Sequence, residues 1–358
     1  MPPLLRFFLT RLLTLPVTLL IVTAALYGVV MLTPPQARAE LYLSKGINPD
    51  RLPPEKIQDL TERIIKRYHL RDPYPIQYGI WISNLLKGNW GYSPTLNDNV
   101  LDALVKRTPV TAELTIYSIL LFIPLGLASG VIAGRNQNRP PDNRFRFFAF
   151  TATSLPPFIV AILLMAVFYV MLHWFSPERL GLLNSQAIRS PDWRNYTGLL
   201  TIDGFLNHRP DISIDALRHL VMPVVTLSLF HWATLGRVTR AAMIEEMHKE
   251  YLVAGKARGI SNRSLIWRHA FRNALTPSLA SSALSAASLF TGVFVVEMIF
   301  NFKGISDMVV YSFYGPPDSQ SVLGFAVYSV LIVLLVMLVL DIVQAIFDPR
   351  IRRGILNS

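Results

Sequence analysis

The polar stretch from Arg237 to Asn273 carries the residues whose types and spacing most strongly suggest a function. Its small residues Ala254, Gly255 and Ala257 lie close together on a predicted helical surface, where small side chains let another backbone or helix approach. Gly259 then permits the positive φ that ends a helix and turns the chain. The interaction that this arrangement suits is noncovalent contact with a partner.

Motifs for bond-making chemistry are absent from the sequence. No cysteine occurs, which excludes disulfides, thiolate zinc sites, iron–sulfur clusters and cysteine nucleophiles. There is no Gly-x-x-x-x-Gly-Lys-Ser/Thr phosphate loop, no His-Glu-x-x-His motif and no Gly-x-Ser-x-Gly motif. The seven histidines do not have the spacing of metal ligands. We therefore expect that this chain is not an enzyme and binds no cofactor or metal.

A few polar residues lie within or beside apolar segments, where charge is unfavourable and often functional. Glu297 could face a translocation cavity, or it could reach the membrane interface or pair with another subunit. Ser281, Ser285 and Ser288 belong to a band of small side chains that either lets helices approach closely or lines a polar pathway. The sequence leaves both alternatives open in each case.

The elements that position these residues are long apolar segments. Hydrophobic residues make up 52% of the chain and charged residues only 16%, which points to burial in lipid. Spanning the hydrocarbon core takes about 20 apolar residues in a helix. Six runs of about that length occur, and we predict an all-α integral membrane protein with six transmembrane helices, at about Leu12–Leu32, Leu114–Ala133, Phe147–Trp174, Leu220–Leu235, Leu279–Phe300 and Leu323–Phe347.

The distribution of Lys and Arg predicts the orientation of these helices, because positive charge in short loops resists translocation. It places both termini and the stretch from Arg237 to Asn273 in the cytoplasm. The segments Thr33–Glu113 and Ser176–Arg218 are then external. The formal charge of +11 does not indicate nucleic acid as a partner, because no basic stretch is interleaved with base-stacking aromatic residues.

The cytoplasmic stretch resembles the coupling loop of ABC importer permeases, in which Glu-Ala-Ala is followed by Gly. Val253-Ala254-Gly255 and Gly259 occupy those places here. The resemblance is closer to the dipeptide, oligopeptide and nickel branch, whose version has a tyrosine, spaced small residues and an Arg-His-Ala segment before Asn-Ala. The matching positions in this sequence are Tyr251, Gly255, Ala257, Gly259, Arg268-His269-Ala270 and Asn273-Ala274.

Further matches to this branch occur in order over nearly the whole chain. They include Gly88-Asn89-Trp90-Gly91-Tyr92-Ser93, Ser154-Leu155-Pro156, Arg218-His219-Leu220, Glu297-Met298-Ile299-Phe300 and Asp348-Pro349-Arg350. Three departures, Met31-Leu32-Thr33-Pro34, Lys303-Gly304 and Pro316-Pro317-Asp318-Ser319, all lie in segments predicted to be external. They bear on the fit of an external receptor and on substrate identity.

The resemblance implies a B-type permease subunit in the cell inner membrane that forms half of the translocation pathway for peptides. It also implies a second related permease, two ABC ATPase subunits that bind ATP and Mg, and an external solute-binding protein. The implied ATPase-coupling residues are Tyr251, Ala254, Gly255, Ala257, Gly259, His269 and Asn273. We expect a first helix within residues 1–33, an external cap at 34–113, and a permease core at 114–358 whose coupling loop lies at about 241–277.

Other functions stay open on the sequence alone. An ion-coupled secondary transporter would need no ATPase but would normally carry acids or interrupted helices at mid-membrane. A membrane hydrolase would need one of the absent catalytic motifs, and a receptor or scaffold would not need the coupling loop. Within the importer class, nickel or an oligosaccharide is an alternative substrate to a peptide.

Overall fold

The computed structural model describes residues 3–39, 42, 53–93, 95–314 and 318–347. These residues are predominantly helical, as the sequence predicts, with one pair of two-residue strands. The C-terminal match beginning at Asp348 lies outside the described residues, as do Pro316 and Pro317. The chain divides into two compact units, one formed by residues 9–109 and 303–334 and the other chiefly by residues 110–302.

The first unit combines apolar helices with the segment predicted to form an external cap. Its elements are α1 (Pro3–Val30, most of which lies in this unit), α2 (Pro35–Ala39), α3 (Pro54–Arg67), α4 (Tyr74–Leu86), β1 (Tyr92–Ser93), β2 (Asp98–Asn99) and α14 (Asp307–Tyr314). The strands pair antiparallel, with Tyr92 opposite Asn99. The start of α5 (Val100–Arg135) and most of α15 (Ser319–Phe347) belong to it as well.

Helices α3 and α4 form the main helical part of this segment. Each begins at a proline-containing first turn, where the fixed φ of proline suits a helix and its missing amide hydrogen is not needed. The chain turns after α4 at Gly88, which has a φ of +78°. Trp81 of α4 stacks on Tyr27 of α1 with ring centroids 5.0 Å apart, so the segment is packed onto the apolar helix of its own unit.

The second unit contains the remaining elements. They are the rest of α5, α6 (Pro140–Ser154), α7 (Pro157–Leu164), a π-helical segment (Met165–Met171), α8 (Leu182–Ala187), α9 (Leu200–Leu206), α10 (Pro210–Met247), α11 (Glu250–Ala257), α12 (Asn262–Ser264), a second π-helical segment (Leu265–Ala270), α13 (Phe271–Ile299) and the end of α15. Helix α10 is central and packs against α13, α6, α7 and α9. The main core contains Phe122, Leu227, Leu289 and Phe300.

A stripe of glycines on α5 allows the closest helix packing in this unit. A Cβ on Gly130 would lie 2.6 Å from Cβ of Thr239 and 2.7 Å from the carbonyl oxygen of Gly236, distances that real Cβ atoms do not show. Gly126 and Gly134 meet α10 one turn away on either side in the same manner. Since small residues four apart let two membrane helices touch along their backbones, this spacing fixes α5 against α10.

Five helices are long and apolar enough to cross a membrane, at Leu12–Val30, Val100–Arg135, Pro210–Met247, Asn262–Ile299 and Gln320–Ile342, counted over the described residues. A sixth span exists only if α6 and the following Pro157–Met171 helix are taken together. That pair is bent by 99°, so the third predicted span is not one straight helix. Leu155 precedes Pro156 and adopts an extended conformation, because a residue before proline is disfavoured in the helical region.

The segment between Ser176 and Arg209 is anchored by buried carboxylates. Glu113 of α5 is 2% exposed and accepts hydrogen bonds from the backbone amide and the hydroxyl of Thr201, each at 2.8 Å. Arg179 donates to the same carboxylate at 2.6 Å. Asp203 in turn accepts from the backbone amides of Thr197 and Gly198. This segment therefore has a defined structure within its unit.

Candidate functional site

Helix α11 is the short helix that the polar stretch from Arg237 to Asn273 predicts, and its ends follow from local chemistry. It begins after Lys249, which is extended, and has Glu250 in its first turn and Lys256 in its last, both favourable to the helix dipole. Beyond its end, the amide of Gly259 donates to the carbonyl of Lys256 at 3.0 Å, and the amide of Ile260 donates to that of Gly255 at 3.1 Å. This pair of bonds is a Schellman motif.

Gly259 makes that turn possible. Its φ is +79°, a backbone conformation that residues other than glycine rarely adopt. The sequence predicts this positive φ at Gly259. No atom lies within 4 Å of the place that a Cβ would occupy. The requirement for glycine at this position is therefore conformational and not steric.

The inward face of α11 packs on the unit's second core cluster. Leu252 is buried there with Met243 of α10, Leu265 of the π-helical segment and Ala274 of α13. Gly255 is also buried, and a Cβ on it would lie 2.8 Å from Cδ2 of Leu265. Gly255 therefore lies on the inward face of α11, where its small size serves the internal packing of the helix.

The middle of the outward face of α11 is small and apolar, between the exposed Glu250 in the first turn and Lys256 in the last. Ala254 and Ala257 are exposed three residues apart, and Val253 beside them is 67% exposed. Residues three and four apart share one face of a helix, so these side chains form one continuous surface. It is nearly flat, because none of the three is larger than valine.

A buried carboxylate joins α11 to both neighbouring helices. Glu246, in the last turn of α10, accepts a hydrogen bond from the hydroxyl of Tyr251 at 2.6 Å and another from the side-chain amide of Asn273 at 3.3 Å. Asn273 also donates to the Tyr251 hydroxyl at 3.0 Å. Lys249 forms an ion pair with Glu246. We call these four residues, Glu246, Lys249, Tyr251 and Asn273, the Glu246 clasp.

The clasp brings together two residues that the sequence singled out, Tyr251 and Asn273, and adds two that it did not, Glu246 and Lys249. Glu246 is 6% exposed, and burial of an unpaired carboxylate would be strongly unfavourable. The three donors of the clasp offset that cost, because they bond to the buried carboxylate oxygens. A hydrogen bond to Glu246 raises the pKa of Lys249, and burial together with the same carboxylate raises the pKa of Tyr251. His269 takes no part in the hydrogen bonds of the clasp, and its ring is exposed.

The small residues of α13 divide between packing and exposure. Ser285 is buried, Ser281 is half-buried and Ser288 is exposed. The Ser288 hydroxyl donates to the carbonyl of Ser285 at 3.0 Å, which satisfies it within its own helix. One turn before Ser281, the Ser278 hydroxyl accepts from Thr239 of α10 at 3.0 Å, so this face of α13 is in helix contact.

Glu297 lies near the end of α13 and is 1% exposed. Its carboxylate accepts a hydrogen bond from the hydroxyl of Thr111 of α5 at 2.5 Å. The side chain is therefore buried between two helices of its own unit. This geometry is that of a helix-packing position.

Comparison with known proteins adds an independent finding. The family model described as binding-protein-dependent transport system inner membrane component matches residues 126–353. The chain is 30% identical over 302 residues to the oligopeptide transport system permease protein of Salmonella typhimurium. The aligned residues cover 84% of this chain and 87% of that protein. It is 29% identical over 303 residues to the dipeptide transport system permease protein of Alkalihalophilus pseudofirmus, with coverage of 84% and 86%. Over 289 residues it is 31% identical to the di/tripeptide transport system permease protein of Pseudomonas aeruginosa, with coverage of 80% and 84%.

Proposed function

The chain belongs to the family of binding-protein-dependent transport system inner membrane components, and we propose that it is the permease subunit of an ATP-driven importer of peptides. The names of three relatives support a peptide substrate, since each is the permease protein of a dipeptide, oligopeptide or di/tripeptide transport system. In this role the chain forms half of a translocation pathway. A second related permease forms the other half.

The observation that carries the proposal is the Glu246 clasp. A coupling element must pass a displacement at the cytoplasmic surface to helices in the membrane. Helix α11 is hydrogen-bonded through one carboxylate to the end of α10 and the start of α13, so a push on α11 acts on both helices together. A flexible loop without such bonds would absorb the movement instead.

The flat outward face of α11 supports contact with a cytosolic ATPase subunit. Ala254 and Ala257 leave the middle of this helix face free of bulky side chains, which suits a helix laid into a groove of a partner. Two such ATPases would bind ATP and Mg, and this chain would supply the mechanical link. The proposal requires that α11 and both termini lie in the cytoplasm, as the charge distribution predicts.

The external segments take the role of a cap in this proposal. Residues 34–113 include α3 and α4, and α4 is packed onto α1 by aromatic contacts within the first unit. Such a folded segment could receive an external solute-binding protein. Along the pathway, Ser288 is exposed and could face the solute, whereas the buried Ser285 and Glu297 belong to helix packing.

Co-purification and reconstitution test this function. The wild-type protein should bring down an ATPase, and in vesicles with the binding protein it should take up di-, tri- or oligopeptides only when ATP is supplied. An Ala254→Trp substitution should reduce ATPase capture, because it adds bulk to the outward face of α11. Leu183→Trp is the matched control, since Leu183 is 81% exposed on α8, which the charge argument places externally.

Three results would contradict the proposal in different ways. Uptake by the isolated chain driven by an ion gradient without ATP would indicate a secondary transporter. ATP-driven uptake of nickel or an oligosaccharide but not of any peptide would keep the importer and refute the substrate. Normal ATPase capture and coupled transport by the Ala254→Trp protein would show that α11 is not the contact.

A further inference from the structure

An open cleft of about 650 Å³ lies between α6 and α10, away from the Glu246 clasp. Three guanidinium groups line it, those of Arg146, Arg237 and Arg240. Three phenylalanines, Phe145, Phe147 and Phe150, form the apolar part of its wall. All of these residues belong to one compact unit, and the family membership of the chain gives the cleft no role.

Arg240 is fixed and neutralised. Its Nε and Nη2 atoms donate to the two carboxylate oxygens of Asp142 at 2.5 and 2.8 Å. Asp142 is fully buried and also accepts from the backbone amide of Asn138 at 2.9 Å. This bidentate pair contributes no net charge to the cleft, but it fixes α6 against α10 and so sets the distance between the walls.

Arg146 and Arg237 leave a net positive charge in the cleft. Both are exposed, and within the described part of the chain neither forms an ion pair or a side-chain hydrogen bond. A guanidinium group presents several N–H donors in one plane, which suits the oxygens of a phosphate. Two such groups facing one cavity therefore favour an anionic ligand with several oxygen atoms.

The aromatic residues restrict the kind of anion. Phe147 and Phe150 are 66% and 71% exposed, and the neighbouring Phe148 is 59% exposed. Exposure of three phenylalanines on one short helix is unfavourable in water, and α6 forms half of the bent pair with membrane-span character. A soluble phosphate would leave these rings without an apolar partner, whereas a lipid would cover them with acyl chain.

We infer that this cleft binds the headgroup phosphate of an anionic membrane phospholipid. Arg146 and Arg237 donate to the phosphate oxygens, while Phe147 and Phe150 contact the acyl chains. Basic pockets between membrane helices on the cytoplasmic side are typical sites for such headgroups. In the proposed orientation α6 begins on the cytoplasmic side, so the cleft lies beside the cytoplasmic leaflet of the membrane.

The test uses the purified protein with the subunits that accompany it, placed in nanodiscs of phosphatidylcholine with a fraction of phosphatidylglycerol. Phospholipid that remains bound after a detergent wash is identified by native mass spectrometry. The double variant Arg146→Gln, Arg237→Gln should retain phosphatidylglycerol about thirtyfold more weakly than wild type, since each basic side chain contributes about a factor of five. Both residues are exposed, so the fold should persist.

The single variant Arg144→Gln is the matched control. Arg144 is an exposed arginine on the same helix that does not line the cleft, so its loss should leave retention unchanged. Inorganic phosphate at millimolar concentration should not displace the retained lipid. Unchanged retention in the double variant, an equal loss in the control, or displacement by free phosphate would each overturn the inference. A double variant that loses accompanying subunits while retaining lipid would show a protein interface instead.

Discussion

Replacement of Glu246 by glutamine should undock helix α11. The substitution keeps the size of the side chain but removes the charge that Lys249, Tyr251 and Asn273 share. Hydrogen bonds to a charged acceptor are about twice as strong as neutral ones, and the half-exposed Lys249 contributes little. We expect a loss of about 2 kcal/mol, or roughly thirtyfold in the ratio of docked to undocked α11.

Hydrogen–deuterium exchange can measure this change directly. An eight-residue helix is not stable alone, so undocking should unfold α11 and free the amides of Arg258, Gly259 and Ile260. These amides should exchange about thirtyfold faster in the Glu246→Gln protein. Glu245→Gln is the matched control, because Glu245 is adjacent but its side chain is 76% exposed and lies 3.4 Å from Lys249. It should leave exchange at the wild-type rate.

The dependence of docking on pH gives a second measure of the same clasp. Because the pKa of Lys249 is raised by its bond to Glu246, the ion pair is complete below the unfolded value of 10.5 and weakens only as pH rises through the higher folded value. Corrected exchange rates in α11 should thus be constant between about pH 6 and pH 9. Wild-type exchange rates in the Glu246→Gln protein would refute the clasp as the element that holds α11.

Three further substitutions test the packing around the site, each by thermal unfolding. Gly255→Val should destabilise the protein by about 1–3 kcal/mol, because the added methyl groups enter the space of a buried leucine; unchanged stability would show that α11 does not pack as described. Gly130→Ala should be destabilising by a similar amount, whereas Gly79→Ala, where no atom lies within 4 Å, should be neutral or stabilising by up to about 1 kcal/mol. Equal effects of the two would refute close packing of α5 on α10. Asp142→Asn should lower the free energy of unfolding by about 3 kcal/mol, because it leaves the partly buried Arg240 unpaired. In the exposed Arg209–Asp211 pair, Asp211→Asn should lower it by under about 1 kcal/mol. Similar losses in the two variants would refute a special role for the buried pair.

Local features of the molecule were accessible to sequence reasoning. The turn after α11 depends on one residue, Gly259, whose conformational freedom is intrinsic to its type. The start of α3 at a Pro-Pro pair is likewise a property of the adjacent residues. The break at Leu155 follows from Pro156, although the sequence could not give the angle of 99° that packing imposes on the two halves. Membrane character followed from the number of consecutive apolar residues.

The contacts that define the site were beyond such reasoning. In the sequence, Glu246 looks like any acid of a polar stretch, and only the fold brings it to Asn273, 27 residues later. Asp142 and Arg240 are separated by 98 residues, and no local pattern pairs them. A glycine at position 255 indicates close approach but not its direction, which the packing of Leu265 decides.

The sequence by itself determined that this chain is helical, lies in a membrane and resembles an importer permease, because hydrophobic length, turn chemistry and motif order are properties read along the chain. The tertiary structure alone decided which small residues of α11 face inward, which carboxylate joins it to α10 and α13, and that Glu297 is buried against α5. The physical reason is that burial and pairing depend on groups far apart in sequence. Their positions are fixed only when the helices pack.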